Sequence, residues 1–328
     1  MIDIINKKKN INSIIIFIHG FKGGKSTWVK KDKKTPFIDK IMYDDDIENN
    51  YDVGIFSYHT QLLNFFPKTK NFFRKYILKK RNAINASIDE ISKVLETDLK
   101  YHCRKYETII LIAHSMGGLV AKRFVLNDLK ANTKTKVKLY ISLATPHSGA
   151  DLALLGSKLI DNCHVNDMTP LSNNINKLND EWVQCNNLPK RIYAQGTSDK
   201  IVSKNSSIAL DRERQNVIYT EDDHFSIIRG EKSNDSIIIA LNEELKDILR
   251  AEKKDLHNIL SMVIKDVTKL NTIDAEVFYR FKELLADEEV INKLNIYFNF
   301  KRKRGNINEL EDFVKESKII FELNKYLN

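Results

Sequence analysis

The sequence is short of cysteine, with Cys103, Cys163 and Cys185 the three in 328 residues. Thiols so few and so irregularly spaced build neither a disulfide framework nor a zinc site, and they are expected to stay reduced. Long apolar runs are also missing. The run Ile14 to Ile18 is far below the roughly 20 residues that a membrane-spanning helix needs. It follows Lys7, Lys8 and Lys9 but leads into His19-Gly20 with no small-residue cleavage site, which makes it a strand rather than a signal peptide. There is no repeat of solenoid length, and no low-complexity segment beyond a bias toward Asn and Lys. These absences point to a cytoplasmic protein, with any membrane contact peripheral.

Acidic residues are lacking in one place: none lies between Asp52 and Asp89, where Lys68, Lys70, Arg74, Lys75, Lys79, Lys80 and Arg81 stand uncompensated. Those seven cations carry most of the net charge of +9. The excess is therefore one patch rather than a generally basic surface, and no nucleic-acid partner is expected. The same segment holds Phe65, Phe66, Phe72, Phe73 and Tyr76. Aromatics beside cations suit an anionic membrane surface reached through Lys68–Arg81, or a lid over an acyl pocket. A cap helix whose aromatics pack inward and whose lysines are simply solvated fits equally well. The short run Lys301-Arg302-Lys303-Arg304 before Gly305 is expected to be an exposed turn.

What is present, up to about Arg250, is an alternation of short β-branched runs with longer segments of helical period. That is the pattern of a mostly parallel sheet covered by helices on both faces, an α/β fold. The strand runs are Ile14 to Ile18, Asp52 to Phe56, Thr108 to Ala113, Val137 to Leu143, Arg191 to Ala194 and Asn216 to Tyr219. Helices are expected near Trp28 to Met42, Ile84 to His102, Met116 to Asn127 and Asp235 to Leu249. Beyond Arg250 the strand runs stop and apolar residues recur at helical spacing, as in Ile259, Leu260, Val263 and Val267. The chain is therefore divided into an α/β domain, residues 1–250, and a small, nearly neutral helical module, residues 251–328. The charged stretch Arg250 to Lys254 separates them.

The strongest local signal is Ile109-Ile110-Leu111-Ile112-Ala113-His114-Ser115-Met116-Gly117-Gly118, an apolar strand entering a helix through a turn with Ser115 at its apex. Such a turn exposes a serine hydroxyl, and it needs small residues at 113 and 117 to avoid neighbouring backbone. A lone Ala-x-Ser-x-Gly arises often by chance, so its flanks and companions carry the argument. Two further strands each end in a titratable side chain: Gly196-Thr197-Ser198-Asp199 follows one, and Asp222-Asp223-His224 follows the other. A serine hydroxyl is a weak nucleophile until an imidazole takes its proton, and the imidazole needs a carboxylate to fix its tautomer. Ser115 is the expected nucleophile, His224 the base and Asp199 its orienting acid, with Asp222 and Asp223 as rival acids. The first strand ends in His19-Gly20-Phe21, and the main-chain N–H groups of Phe21 and Met116 are the expected pair facing a developing oxyanion. His114 is assigned to packing. This chemistry calls for no cofactor and no metal ion.

His19-Gly20-Phe21, Ala113-His114-Ser115-Met116-Gly117-Gly118, Ala144-Thr145-Pro146-His147-Ser148-Gly149 and Gly196-Thr197-Ser198-Asp199 together resemble the lipase-like branch of the α/β-hydrolases. They are similar to GPI inositol deacylase and to serine-active-site (SERAC-type) lipases. The resemblance spans about residues 12 to 249. It implies the α/β-hydrolase fold and hydrolysis of carboxylic esters, with an ester or lipid as substrate; Ala113 departs from the usual first glycine. The alternative is a hydrolase-fold binding or effector protein whose helical tail docks on a partner or self-associates.

Overall fold

The computed structural model describes residues 1–8, 11–21, 23–29, 36–58, 87–132, 134–148, 150–152, 155, 169–203, 216–229 and 235–268. The basic segment Lys68–Arg81 and the tail beyond Thr268 lie outside the described residues.

Seven strands form one sheet in the order β1-β3-β2-β4-β5-β6-β7. They are β1 (Ile2–Asn6), β2 (Ser13–Ile18), β3 (Asp52–Phe56), β4 (Thr108–His114), β5 (Val137–Leu143), β6 (Lys190–Gly196) and β7 (Val217–Thr220). All neighbouring pairs are parallel except β1 with β3. Every residue of β2, β3 and β4 is buried. Strands covered on both faces must read as continuous apolar runs, which is why these were visible in the sequence. Burying each isoleucine of β2 in this way contributes about 2 kcal/mol.

The sequence pattern missed β1. Its burial alternates, and it pairs antiparallel at the sheet edge, where a polar outward face is tolerated. Where a helix is expected over Trp28 to Met42, the described residues form two short ones, α1 (Lys25–Trp28) and α2 (Phe37–Ile41); Pro36 stands at the N-cap of the second. A third short helix, α3 (Asp45–Asn50), starts where the Asp44 carboxylate accepts from the Asp46 and Ile47 N–H groups.

Helix α4 (Ile88–His102) is opened by a capping box between Ser87 and Glu90. It buries Ile88, Ile91, Leu95 and Leu99 along one stripe and packs on α5 (Met116–Ala131). Helix α6 (Thr169–Gln184) escaped the sequence pattern because its asparagines are poor helix formers. It nonetheless buries Ile175, Leu178 and Trp182, and Trp182 Nε1–H donates to Tyr193 Oη at 3.0 Å.

The last helix among the described residues, α7 (Ser236–Thr268), continues well past Leu249, where the sequence pattern ended it. Lysine, glutamate, alanine and arginine all favour helix, so the charged stretch Arg250 to Lys254 prolongs the helix rather than breaking it. Its first half buries Ile237, Ile238, Leu241 and Leu245. Tyr51 Oη–H donates to the Leu245 carbonyl at 3.0 Å, and Lys246 pairs with Asp44 at 2.6 Å. The chain forms two compact units, Met1–Ile248 and Leu249–Asn328. No helix among the described residues is long and apolar enough to cross a membrane.

Candidate active site

Parallel strands deliver their following loops to one end of the sheet, and the crevice there is where ligands gather in open α/β sheets. The turns after β2, β4, β5, β6 and β7 carry His19 to Phe21, Ser115, Ala144 to Ser148, Asp199 and His224.

Ser115 joins β4 to α5 with φ 53° and ψ −129°. A serine rarely takes a positive φ, so the turn is strained and is held by its surroundings. Ser115 N–H donates to Leu143 O at 2.9 Å, and Gly118 N–H donates to Ser115 O at 3.0 Å. The helix leaves so sharply that a Cβ at Gly117 would stand 2.4 Å from the carbonyl oxygen of His19. No other residue fits there.

Ser115 Oγ lies 3.0 Å from His224 Nε2, and His224 Nδ1 lies 3.0 Å from Asp199 Oδ2. A carboxylate only accepts, so the proton sits on Nδ1 and donates to Asp199; Nε2 is then free to accept from the serine hydroxyl. Both side chains of the imidazole–carboxylate pair are almost wholly shielded from solvent. Asp199 Oδ1 also accepts from the N–H groups of Ile201 at 2.7 Å and Val202 at 2.9 Å. Burial alone would raise the Asp199 pKa. The hydrogen bond from His224, the two backbone donors and the His224 charge outweigh it, and the carboxyl is held below its usual range.

The rival acids are engaged elsewhere. Asp223 Oδ1 accepts from the N–H groups of Phe225 and Ser226, which opens the short 3₁₀ turn Ser226–Ile228, and Asp222 Oδ1 accepts from Ser226 Oγ at 2.7 Å. Phe21 follows Gly20 in the turn after β2, and Gly20 lies against Ser115: a Cβ there would be 2.7 Å from the serine Cβ. Met116 is the first residue of α5. Backbone at such a helix start is well placed to favour negative charge.

His19 braces this turn. Tyr58 N–H donates to its Nε2 at 3.1 Å, so the proton is on Nδ1, which donates to Gly20 O at 2.7 Å. Tyr58 Oη–H returns a bond to His19 O at 2.7 Å, and the two rings stack with centroids 4.3 Å apart.

Two features were not read from the sequence. The first is His114, whose Nε2 reaches the backbone carbonyl of His224 at 2.8 Å, far more than packing. The second is a buried polar link under the turn after β5. Lys122 Nζ, wholly buried on α5, donates to Asn179 Oδ1 at 2.7 Å and sits 5.2 Å from the Trp182 ring centre, while Asn179 Nδ2 donates to the carbonyl of His147. Burial, and then the Lys122 ammonium, push the His147 pKa well below its ordinary value. A lysine inside the otherwise apolar face of α5 was the one available signal for this link. Asp151 Oδ2 accepts from Ser148 Oγ at 3.0 Å and Ser203 Oγ at 2.8 Å, which ties the β5 turn to the turn bearing Asp199. Among the described residues no group of three or more His, Cys, Asp or Glu side chains is arranged to hold a metal ion.

A serine at a strained strand-to-helix turn, an imidazole and a carboxylate after later strands, and a mostly parallel sheet beneath them make this an α/β-hydrolase fold. The model of the PGAP1-like alpha/beta domain family matches residues 11–221, and the chain belongs to that family. No curated protein sequence matches it. Among solved structures it is similar to phospholipase PlaB from Legionella pneumophila, with 18% identity over 57% of this chain and 38% of that one and a TM-score of 0.40. It is also similar to Est1E from Butyrivibrio proteoclasticus, solved with ferulic acid bound: 13% identity, 76% and 93% coverage, TM-score 0.48. A lipase-esterase related protein from Clostridium acetobutylicum gives 13% identity, 75% and 98% coverage and a TM-score of 0.47.

Proposed function

We propose that the protein is a serine hydrolase that cleaves carboxylic esters, of lipids or other acyl compounds, through an acyl-enzyme. The observation that carries this is the pair of 3.0 Å contacts joining Ser115, His224 and Asp199. Ser115 Oγ attacks the ester carbonyl carbon while its proton passes to His224 Nε2. Asp199 holds the imidazole in the needed tautomer and stabilises its charged form. The oxyanion receives the N–H groups of Phe21 and Met116. The tetrahedral species collapses, the C–O bond to the alcohol breaks, and the alcohol leaves with the proton from His224. Water, activated by the same imidazole, then releases the acid and restores Ser115.

The preference for lipid esters rests on the resemblance of the Thr145-Pro146-His147-Ser148-Gly149 element to that of lipid ester hydrolases. Peripheral contact with an anionic membrane through Lys68–Arg81 is proposed on the cations and the aromatics among them, and a cytoplasmic location on composition. A docking or self-associating role is proposed for residues 251–328.

The test is hydrolysis of p-nitrophenyl esters of increasing chain length and of phospholipids, together with labelling by a fluorophosphonate probe. Ser115→Ala and His224→Ala should each abolish turnover with unchanged circular dichroism, and the double variant should be no worse, because the two act in one proton-transfer unit. Substantial turnover in either single variant refutes the assignment. A wild-type chain that neither turns over esters nor takes the probe would instead be a hydrolase-fold binding protein.

A further inference from the structure

His114 closes β4 immediately before Ser115 and is buried. Its Nε2 lies 2.8 Å from the backbone carbonyl oxygen of His224, a partner 110 residues away. A carbonyl oxygen only accepts, so His114 carries a proton on Nε2 and donates from it. The rest of the ring is held on other sides. Trp28 meets it edge-on with centroids 6.5 Å apart, the His224 ring lies 5.1 Å away, and Gly20 is so close that a Cβ there would be 3.2 Å from His114 Nδ1. One side chain thus touches three loops: the nucleophile turn it belongs to, the Gly20 turn and the turn bearing His224.

The turn with His224 is held within itself by the bonds of Asp222 and Asp223 to Phe225 and Ser226, and is tied to the Asp199 turn by Ser198 N–H donating to Asp222 O at 3.1 Å. It follows β7, a four-residue strand at the sheet edge, and it ends in the short Ser226–Ile228 turn. The Asp199 contact fixes the orientation of the His224 ring, yet it leaves the backbone height of residue 224 above Ser115 open. Of the bonds to this turn, the one from His114 is made to that residue's own carbonyl.

We propose that His114 is a positioning residue, whose Nε2–H holds the backbone of His224 so that the imidazole of His224 stays within reach of Ser115 Oγ. This rests on His224 being the general base. The neutrality of His114 is part of the arrangement. Burial first, and the neighbouring His224 charge second, push its pKa down to about 3. It therefore adds no like charge beside the imidazolium that forms when His224 takes the serine proton.

Glutamine places its amide nitrogen about where His Nε2 stands, whereas leucine fills similar volume with no donor. His114→Leu and His114→Gln are therefore compared with wild type in p-nitrophenyl acetate hydrolysis and by crystallography of the full chain. In His114→Leu, kcat should fall about tenfold to a hundredfold, as misplacement by an ångström does. KM should stay within about twofold, and His224 Nε2 should move beyond hydrogen-bond distance of Ser115 Oγ. His114→Gln should recover most of kcat and restore that contact. The proposal is overturned if His114→Leu keeps the wild-type Nε2 to Oγ distance, or if His114→Gln is as impaired as His114→Leu while both remain folded. An inactive wild type would sink the esterase function, yet the crystallographic distance would still decide whether His114 positions His224.

Discussion

Gly20 and Ser115 touch across strands β2 and β4, so closely that a Cβ on residue 20 would stand 2.7 Å from the serine Cβ and 3.2 Å from the His114 carbonyl oxygen. The contact is with backbone and a Cβ rather than with a flexible side-chain end, and relief requires one turn to move. Gly20→Ala should therefore shift the Phe21 turn against the nucleophile. Overpacking of this kind costs about 1–3 kcal/mol, and kcat for a short ester should drop at least tenfold while the protein stays folded. Thermal melting and steady-state kinetics check both; wild-type kcat in this variant would show that the turn yields without consequence.

The three candidate acids make separable predictions. Asp199→Asn removes the carboxylate that faces His224 Nδ1 and should lower kcat by about 10⁴. Asp222→Asn should change it by no more than a few-fold. Asp223→Asn leaves an amide oxygen to accept from the Phe225 and Ser226 N–H groups and should also have little effect. A kcat loss confined to Asp222→Asn or Asp223→Asn would mean that the His224 turn closes differently in solution.

Acid should weaken the fold partly through His114. In the unfolded chain a histidine takes its proton near pH 6.5, whereas in the folded chain His114 refuses one until about pH 3. Between those values the unfolded state binds more protons, so this contribution to stability is fully present above pH 6.5 and is lost as the pH falls through the window. Each such proton gives a slope of about 1.4 kcal/mol per pH unit. Urea denaturation from pH 7 to pH 4 should show a shallower decline in His114→Gln than in wild type, by about one proton. Equal slopes would mean that His114 takes its proton near the ordinary value. His147, also held neutral by burial and by Lys122, should behave alike.

The sequence showed those parts of the fold that bury both faces of a strand or one stripe of a helix. Strands β2 and β4 announce themselves because every residue in them is buried. Strand β1 does not, since its half-exposed residues sit at an edge next to a lysine run. Helix α6 was hidden by asparagines, although Ile175, Leu178 and Trp182 carry a helical period. At the site, Ser115, Asp199 and His224 were legible because each follows a strand run in an order this fold uses. The bonds from His114 to His224 and from Lys122 to Asn179 join residues 110 and 57 positions apart, and no local pattern announces a partner at that distance.

A chain ending at Lys254 should keep esterase activity. The positions through which α7 packs on the α/β unit, Ile237, Ile238, Leu241 and Leu245, all precede the cut, as do the Tyr51 and Lys246 contacts. Such a chain should also lose any oligomer seen by light scattering, if residues 251–328 form the association module proposed here. Insolubility would place those residues in the structural core instead.

Strand β4 lies in the middle of the sheet with all its residues buried, while β7 is a four-residue edge strand with Tyr219 turned outward. The serine and its imidazole thus hang from parts of the molecule that should open at different free energies. Amides of β4 should exchange with deuterium only on global unfolding, whereas those of residues 217–226 should exchange by a cheaper local opening. In rising urea, ester turnover should then disappear before far-ultraviolet circular dichroism changes, as the His224 turn detaches from an intact sheet. Anything that clamps that turn, a bound acyl chain included, should protect the edge and bring the two transitions together.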